Sequence, residues 1–353
     1  MSFWRMVMSK RLMVFIFLLM VILNPIFASD EKAPKSIMKA YPALLDNLKI
    51  IESNIVYETY YEKNWELFVM NADGSNPVNL TKTPDVHEMY PHVSLDGTKI
   101  CFTVDEMTNG AKIRCVYIMN MDGTGRIKVA ERARQACWSP DSKTIAYLKS
   151  KYDKFQLNDY ATKGIVFYNT ATKETREHPN QDIHHLYNIC WSKNGKWIVA
   201  TVHAGMGYNH TNLAIQVNGN KVYDLGIGGC RPDLSPDGKH IAWGLTDNII
   251  AVADIDLESS IPKVSNKRNV IVDDKHVYHT EWSPDGKYLC YSRGPGGRTA
   301  ADGPGTNLGI AELVGVRGQW NLCVTPVSGE RVYAELMHGQ GTYKESDWFV
   351  PAK

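Results

Sequence analysis

Short β-rich runs separated by turn residues occupy most of the chain. The clearest pattern is a run ending in an apolar or aromatic residue, a turn of the type Ser-Pro-Asp-Gly, and a second β-rich run. Proline presets φ in such a turn, aspartate bonds the local backbone, and glycine accepts a positive φ. The pattern predicts a β-hairpin, and it occurs at residues 93–97, 138–142, 191–195, 234–238 and 282–286.

A second kind of hairpin alternates with the first. Two copies end in an Asp-Gly turn, at 66–74 and 116–123, and weaker copies lie at 165–170, 213–219, 250–254 and 322–326. One hairpin of each kind makes a unit of four strands, and the Ser-Pro-Asp-Gly turns recur every 43 to 53 residues. A four-stranded repeat of this length is typical of a β-propeller blade.

The two ends of the repeat region each lack half of a unit. The run at 346–351 contains Trp348 but no Asp-Gly turn, and the run at 55–60 has no Ser-Pro-Asp-Gly turn before it. Together these runs would complete a sixth blade, and a closed ring hides sheet edges that invite aggregation. We therefore predict an all-β fold, a six-bladed β-propeller of four-stranded antiparallel blades closed by the C-terminal strand.

The repeated turn, the β-run after it and the strand ending in Asp-Gly resemble the WD40-like repeats of the TolB-like β-propeller family. The resemblance covers residues 55–351, and the repetition makes it specific for the fold. TolB is a periplasmic protein that partners an envelope lipoprotein and has an α/β domain before its propeller. This chain has only about twenty residues between its leader and its first strand. The resemblance therefore implies the propeller alone, and the partner role of TolB does not transfer.

The N-terminal residues have the pattern of a secretory signal peptide. Basic residues precede or open the apolar run 12–23, and Ala28 is a small residue suited to cleavage. An uncleaved anchor is the alternative, but the apolar run is short for spanning a bilayer. We expect a periplasmic or secreted protein with no membrane span after cleavage. Its expected parts are a signal peptide, an extension with a short helix, and a single propeller, at 1–28, 29–53 and 54–353.

Charge and cysteine usage exclude several classes of function. The formal net charge is +1, and no basic run or stripe indicates nucleic-acid binding. None of the seven cysteines is spaced as in a zinc ribbon or a haem attachment site, so no cofactor is expected. Small buried hydrophobic residues are the favoured interpretation. The alternative is a disulfide in an oxidising compartment, and Cys137 and Cys190 occupy equivalent positions of adjacent blades.

The central channel of the propeller is the predicted place for a site. Counting back from the turn serine, position −1 is apolar or aromatic, and alternation puts positions −2 and −4 on the opposite side, toward the channel. The −4 ring consists of Tyr90, Gln135, Asn188, Arg231, His279 and Glu345. The −2 ring consists of His92, Cys137, Cys190, Asp233, Glu281 and Asp347.

Nine of these residues form the candidate ligand-binding site at the channel mouth. They are Tyr90, His92, Asn188, Arg231, Asp233, His279, Glu281, Glu345 and Asp347. Histidines and carboxylates could bind a divalent metal or carry general acid–base chemistry. The simpler interpretation is a wet channel in which Arg231 and Asp233, or His279 and Glu281, neutralise one another.

Two further groups of residues lie on connections. Histidines occur at 184–185, at 203–210 and at His338, and the propeller-type oligogalacturonate lyases bind a metal through several such histidines. The spacing of these histidines does not match them to the metal ligands of those enzymes. Packing of the loops is the simpler account. The Gly/Pro-rich segment 294–305 suits either a partner-binding loop or a mobile excursion.

These observations favour a non-catalytic, monomeric propeller of the cell envelope that binds an envelope protein or a glycan. The alternative is a metal-assisted carbohydrate-active enzyme of the lyase kind, with its site at the channel mouth. The repeat pattern cannot choose between them, because propellers carry many unrelated functions.

Overall fold

A computed structural model describes residues 35–294, 313–337 and 341–352 of the 353-residue chain. The predicted signal peptide at 1–28, the segment 295–305 and His338 lie outside the described residues. Within the described ranges the chain is almost entirely β-structure.

The described strands form six sheets, which we number as blades in chain order. The chain begins with β1 (Lys39–Ala40) and α1 (Leu44–Leu48). Blade 1 contains β2 (Asn54–Tyr61), β3 (Asn64–Asn71) and β4 (Val78–Asn79). Blade 2 contains β5 (His87–Val93), β6 (Lys99–Thr108), β7 (Ala111–Asn120) and β8 (Ile127–Glu131). Blade 3 contains β9 (Ala133–Trp138), β10 (Thr144–Ser150), β11 (Thr162–Asn169) and β12 (Thr175–Glu177).

The second half of the chain continues the same order. Blade 4 contains β13 (Leu186–Trp191), β14 (Trp197–Gly205), β15 (Tyr208–Gln216) and β16 (Val222–Asp224). Blade 5 contains β17 (Cys230–Leu234), β18 (His240–Thr246), β19 (Ile249–Asp256) and β20 (Lys263–Val272). Blade 6 contains β21 (Val277–Trp282), β22 (Tyr288–Arg293), β23 (Asn321–Pro326) and β24 (Val332–Glu335). The last strand, β25 (Tyr343–Phe349), returns to blade 1.

The C-terminal strand closes the ring, which confirms the predicted fold. β25 pairs antiparallel with β2, so that Trp348 lies opposite Ile55 and Asp347 opposite Val56. The innermost strands contact one another in the order β5, β9, β13, β17, β21 and β25, and β25 contacts β5 again. These six strands therefore surround the central channel, and β1 adds a parallel strand to the outer edge of blade 6.

Residues at position −1 pack between the blades, as the alternation predicts. Trp138 and Trp282 are almost fully buried in clusters shared with the preceding blade. The indole N–H of Trp138 donates to the carbonyl oxygen of His92 at 2.9 Å, and that of Trp282 donates to the carbonyl oxygen of Asp233 at 3.3 Å. A buried indole needs such a partner, so these tryptophans fix how adjacent blades meet.

The repeated turn is held by its serine. The Ser139 hydroxyl donates to Asp141 at 2.5 Å and accepts the Thr144 N–H at 3.0 Å, which ties both sides of the turn together. The same serine-to-side-chain bond occurs in the pairs Ser94–Asp96, Ser192–Asn194, Ser235–Asp237 and Ser283–Asp285. The recurrence of the turn therefore has a structural reason.

The N-terminal extension packs on the ring at the junction of blades 6 and 1. α1 buries Leu44 and Leu48 in a cluster that also contains Ile55 and Cys290. All seven cysteines are buried and free, so Cys137 and Cys190 form no disulfide. Within the described ranges, no helix combines the length and apolar character that a membrane crossing requires.

Candidate functional site

The nine predicted site residues line one cavity in the channel, which has a volume of about 60 Å³. The structure brings together Tyr90, His92, Asn188, Arg231, Asp233, His279, Glu281, Glu345 and Asp347. Their convergence follows from the repeat register, since five of the six innermost strands present the same positions to the cavity. The exception is β9, whose ring residues Gln135 and Cys137 are not among the lining residues. Their role in ligand binding stays a prediction.

A β-bulge interrupts every innermost strand at position −4. All six residues of the −4 ring have left-handed backbone, with φ between 47° and 57°, and the strand register shifts there in each blade. Such bulges re-aim side chains, and they are enriched beside functional sites. The bulge also brings position −3 to the cavity, which simple alternation missed: Pro91, Ile189, Pro232, Thr280 and Ser346 line it too.

Each bulge leaves a backbone N–H that must find a partner. The Tyr90 N–H donates to the Glu58 carboxylate at 2.8 Å, and the Arg231 N–H donates to the Thr201 hydroxyl at 2.8 Å. In both cases the acceptor belongs to the preceding blade, so the bulges also join neighbouring blades. Burial raises the pKa of Glu58 to about 8, although the nearby Lys344 ammonium opposes the shift.

The −4 ring is closed by charged groups that pair between blades. Arg231 donates to Asn188 at 3.0 Å and lies 3.4 Å from Glu345, whose other close partner is His279 at 3.0 Å. The expected pairs within a strand, Arg231 with Asp233 and His279 with Glu281, are therefore wrong for the described structure. The reason is the bulge, which directs the −4 side chains across the channel.

Protonation follows from these contacts. Burial lowers the pKa of His279, and the Ser292 hydroxyl lies 3.0 Å from its Nδ1. A neutral ring can then donate from Nε2 to Glu345. Burial alone would raise the pKa of Glu345, but His279 and Arg231 outweigh it and the pKa is lowered. The ring thus holds a carboxylate whose charge is compensated inside the protein.

Buried charged groups at and beside the −4 ring also contact two connections between blade strands. Asp159, in the connection from β10 to β11, lies 3.3 Å from Arg231. The Lys344 ammonium donates to the carbonyl oxygen of Leu313 at 2.5 Å, and Arg114 donates to that of Val314 at 3.3 Å. These groups were not found from the sequence, because they lie outside the −2 and −4 register.

Exposure increases toward the −2 ring. The Arg231 and His279 side chains are each 2% exposed, whereas that of His92 is 31% exposed. Asp233 and Glu281 are half-buried. Water therefore reaches the cavity from the −2 end, which is also the end that carries the Ser-Pro-Asp-Gly turns.

Three carboxyl groups of the −2 ring hold protons unusually strongly. Burial raises the pKa of Asp233 to about 7, opposed by the Trp282 N–H and reinforced by Asp347. Burial also raises the pKa of Glu281 well above its usual range, and the charges of Asp233 and Asp347 add to the effect. The pKa of Asp347 is raised by burial despite His92 and the Val93 N–H. At low pH these carboxyl groups are protonated and can donate hydrogen bonds. As pH rises they lose their protons, and the mouth becomes negatively charged.

A metal site is not assembled from the expected ligands. Among the described residues, no three His, Cys, Asp or Glu side chains are arranged to hold a metal ion. This holds for the histidines and carboxylates of the candidate site, His92, Asp233, His279, Glu281, Glu345 and Asp347.

The histidines on connections pack against one another. The His203 ring stacks on Tyr160 with centroids 4.3 Å apart, and His210 accepts or donates a hydrogen bond with the Tyr187 hydroxyl at 2.8 Å. The Lys151 ammonium lies 2.7 Å from Nε2 of His185. These contacts agree with a packing role for the histidines, but the loop predicted at 203–210 is wrong, because His203 in β14 pairs with His210 in β15.

Comparison with solved structures agrees with the predicted resemblance. TolB from Acinetobacter baumannii matches 84% of this chain with a TM-score of 0.60 and 17% identity. The chain has a TolB-like β-propeller fold. A putative TolB from Agrobacterium tumefaciens matches 83% of the chain with a TM-score of 0.54 and 14% identity. The chain spans 66% of the Acinetobacter protein, slightly less than two thirds, and 91% of the Agrobacterium protein.

Similarity at these identities concerns the fold alone. An oligogalacturonate lyase from Vibrio parahaemolyticus also matches, over 86% of this chain and 78% of the lyase, with 13% identity and a TM-score of 0.48. A score this low carries no argument for lyase chemistry. No model of a known protein family matches the sequence, and no curated protein is similar to it.

Proposed function

We propose that this chain is a periplasmic or secreted propeller of the cell envelope that binds a protein or a glycan without catalysis. In this proposal the partner contacts the −2 end of the channel. The TolB-like fold and the signal-peptide pattern of residues 1–28 support the location.

The size of the channel cavity carries the proposal. Its volume is about 60 Å³, whereas pockets that enclose small-molecule ligands measure roughly 300–1,000 Å³. Arg231 and Glu345 close its base with charges that already compensate one another, and His279 hydrogen-bonds to Glu345. The cavity therefore suits a few waters or one inserted side chain better than a substrate sugar.

The chemistry of the mouth indicates what the partner offers. His92, Asp233 and Glu281 are half-buried at the −2 ring, and Asp347 lies beside them. Carboxyl groups outnumber cationic groups at this end, so a lysine or arginine side chain of the partner is the most complementary group. A cation inserted here would favour release of the protons that these carboxyl groups hold, so that several of them would share their charge with it.

Affinity capture from a cell-envelope extract tests the proposal. The chain and its Asp233→Lys variant are immobilised, and captured proteins and glycans are identified by mass spectrometry. We expect the unmodified chain to capture one partner with saturable binding, and we expect the Asp233→Lys variant not to capture it. Glu174→Lys makes the same charge change at an exposed turn of blade 3 and should keep the partner. Equal capture by all three proteins, or release of sugar fragments from the extract, would contradict the proposal.

A further inference from the structure

A second concave surface lies outside the channel, where the two non-repeated segments of the chain meet. We call it the junction groove. It has a volume of about 520 Å³, and its walls come from the end of α1 and the residues after it, from the turn after β3, and from the residues after β25. Leu48, Ile51, Val350 and Pro351 supply its apolar part. Its size falls within the range of ligand and peptide pockets.

Exposed aliphatic side chains gather around the junction groove. Ile50 is 83% exposed and lies between two residues that line it, and Val350 in its wall is 47% exposed. Leu95 is 71% exposed in the blade 2 turn, where the equivalent residues of the other turns are Pro140, Lys193, Pro236 and Pro284. This turn touches the C-terminal residues, because a Cβ on Gly97 would lie 2.3 Å from the carbonyl oxygen of Val350. A cluster of exposed apolar groups at a groove is typical of a protein-binding surface.

The charges at the junction groove are mostly negative. Glu52 and Asp73 line it, and the cation Lys49 lies 2.7 Å from Asp46, an exposed acid on α1. With that pair neutralised, the described lining keeps an acidic excess. A segment that carries basic residues next to its aliphatic ones would complement both features of the surface.

We infer that the junction groove docks a segment of a partner protein in which aliphatic side chains are flanked by lysine or arginine. The inference rests on the proposed binding role and extends it to a second contact area. The groove and the −2 mouth lie on the same face, because β25 passes the −2 ring at Asp347 immediately before it ends at the groove. One partner can therefore contact the mouth with a basic side chain and the groove with its apolar segment.

A displayed library of random peptides, screened against the full chain, tests this inference directly. Enriched peptides should combine aliphatic residues with lysine or arginine. For a synthetic copy of one such peptide, Val350→Asp should weaken binding at least about tenfold, as loss of one buried aliphatic contact implies. Ile50→Asp, at a more exposed position, should weaken it in the same direction without affecting the fold.

The control is Ile261→Asp, which makes the same change at a residue that is 52% exposed in the turn between β19 and β20. It should leave peptide binding unchanged. Enrichment of acidic or wholly polar peptides, no enrichment, or equal binding by Val350→Asp and the unmodified chain would overturn the inference. A dimer in sedimentation velocity that Val350→Asp dissolves would overturn it too, in favour of a second copy. Asp233→Lys separates the two sites, since it should affect capture at the mouth and leave peptide binding in the groove intact.

Discussion

Asp233 keeps its proton to a higher pH in the folded protein than an exposed aspartate would. Its pKa is raised from the ordinary 3.8 to about 7, chiefly by burial in the channel wall. Between these pH values the folded protein binds more protons than the unfolded chain. The free energy of unfolding must therefore fall as pH rises across this window, as far as this group contributes.

Replacing this carboxyl group makes the effect measurable. We expect Asp233→Asn to flatten the fall in the free energy of unfolding between about pH 4 and pH 7. Urea denaturation at a series of pH values gives the comparison. Glu174→Gln, at an exposed turn residue, should follow the unmodified protein at every pH. Parallel curves for Asp233→Asn and the unmodified protein would show that folding does not raise the pKa of Asp233.

The buried charges of the −4 ring should be far more costly to remove than surface charges. Arg231 is 2% exposed and forms ion pairs with both Glu345 and Asp159. Arg231→Ala therefore leaves two buried carboxylates without their main cation. We expect a loss of about 3–5 kcal/mol in the free energy of unfolding. Lys196 pairs with Glu258 at the surface, where both side chains are more than half exposed, and Lys196→Ala should cost less than about 1 kcal/mol. Similar urea midpoints for the two variants would contradict this account of the ring.

The site residues were predictable because the turn provides a register. Counting back from each serine, and by extension along the last strand, identified nine of the fifteen residues that line the cavity. Alternation could not indicate their pairing, because the bulge at −4 changes the direction of each side chain. One signal was present in the sequence, since none of Tyr90, Gln135, Asn188, Arg231, His279 and Glu345 is β-branched. β-Branched residues strongly disfavour the left-handed backbone that this position adopts.

At the level of elements, the same turn has different surroundings in different blades. Gly97 and Gly286 occupy the same position of the turn, with φ of 69° and 70°. A Cβ on Gly286 would meet nothing within 4 Å, whereas one on Gly97 would lie 2.3 Å from the carbonyl oxygen of Val350. The difference arises because the C-terminal residues cross the blade 2 turn after β25 ends.

This pair of glycines offers a matched experiment. Both alanine variants carry the left-handed backbone penalty of about 1–2 kcal/mol. Gly97→Ala should lower the free energy of unfolding by a further amount of about 1–3 kcal/mol, because the new methyl group must displace the C-terminal backbone. Thermal or urea unfolding of both variants measures the difference. Equal destabilisation would mean that the C-terminal residues do not pack on this turn.

For the whole molecule, the closure of the ring was the prediction that repeat counting made possible. The sequence shows half a blade at each end, and the two halves pair as β25 with β2. The positions of α1, of the connection that contains Asp159 and of the residues around Leu313 could not be predicted. They follow no repeat, and they are placed by contacts with residues far away in the chain, such as Arg231 and Lys344.

Ring closure should depend strongly on Trp348. This residue is 4% exposed, packs between blades 6 and 1, and donates from its indole to the Ser53 hydroxyl at 2.8 Å. We expect Trp348→Ala to cost about 3–5 kcal/mol of unfolding free energy. Trp191 is the half-buried equivalent in blade 4. Its replacement by alanine should lower the free energy of unfolding by less. If urea unfolding ranks the two variants in the opposite order, the C-terminal strand is not the element that holds the ring together.

We propose that this propeller binds its partner at an acidic channel mouth and does not transform it. The most direct measurement is the affinity of the captured envelope partner for the chain, for Asp233→Lys and for Glu174→Lys, over a range of salt concentrations. We predict binding that weakens with salt, a loss of at least about tenfold for Asp233→Lys, no change for Glu174→Lys, and an intact partner at the end of the experiment. Equal affinities for all three proteins, or a partner cleaved during the measurement, would contradict the account.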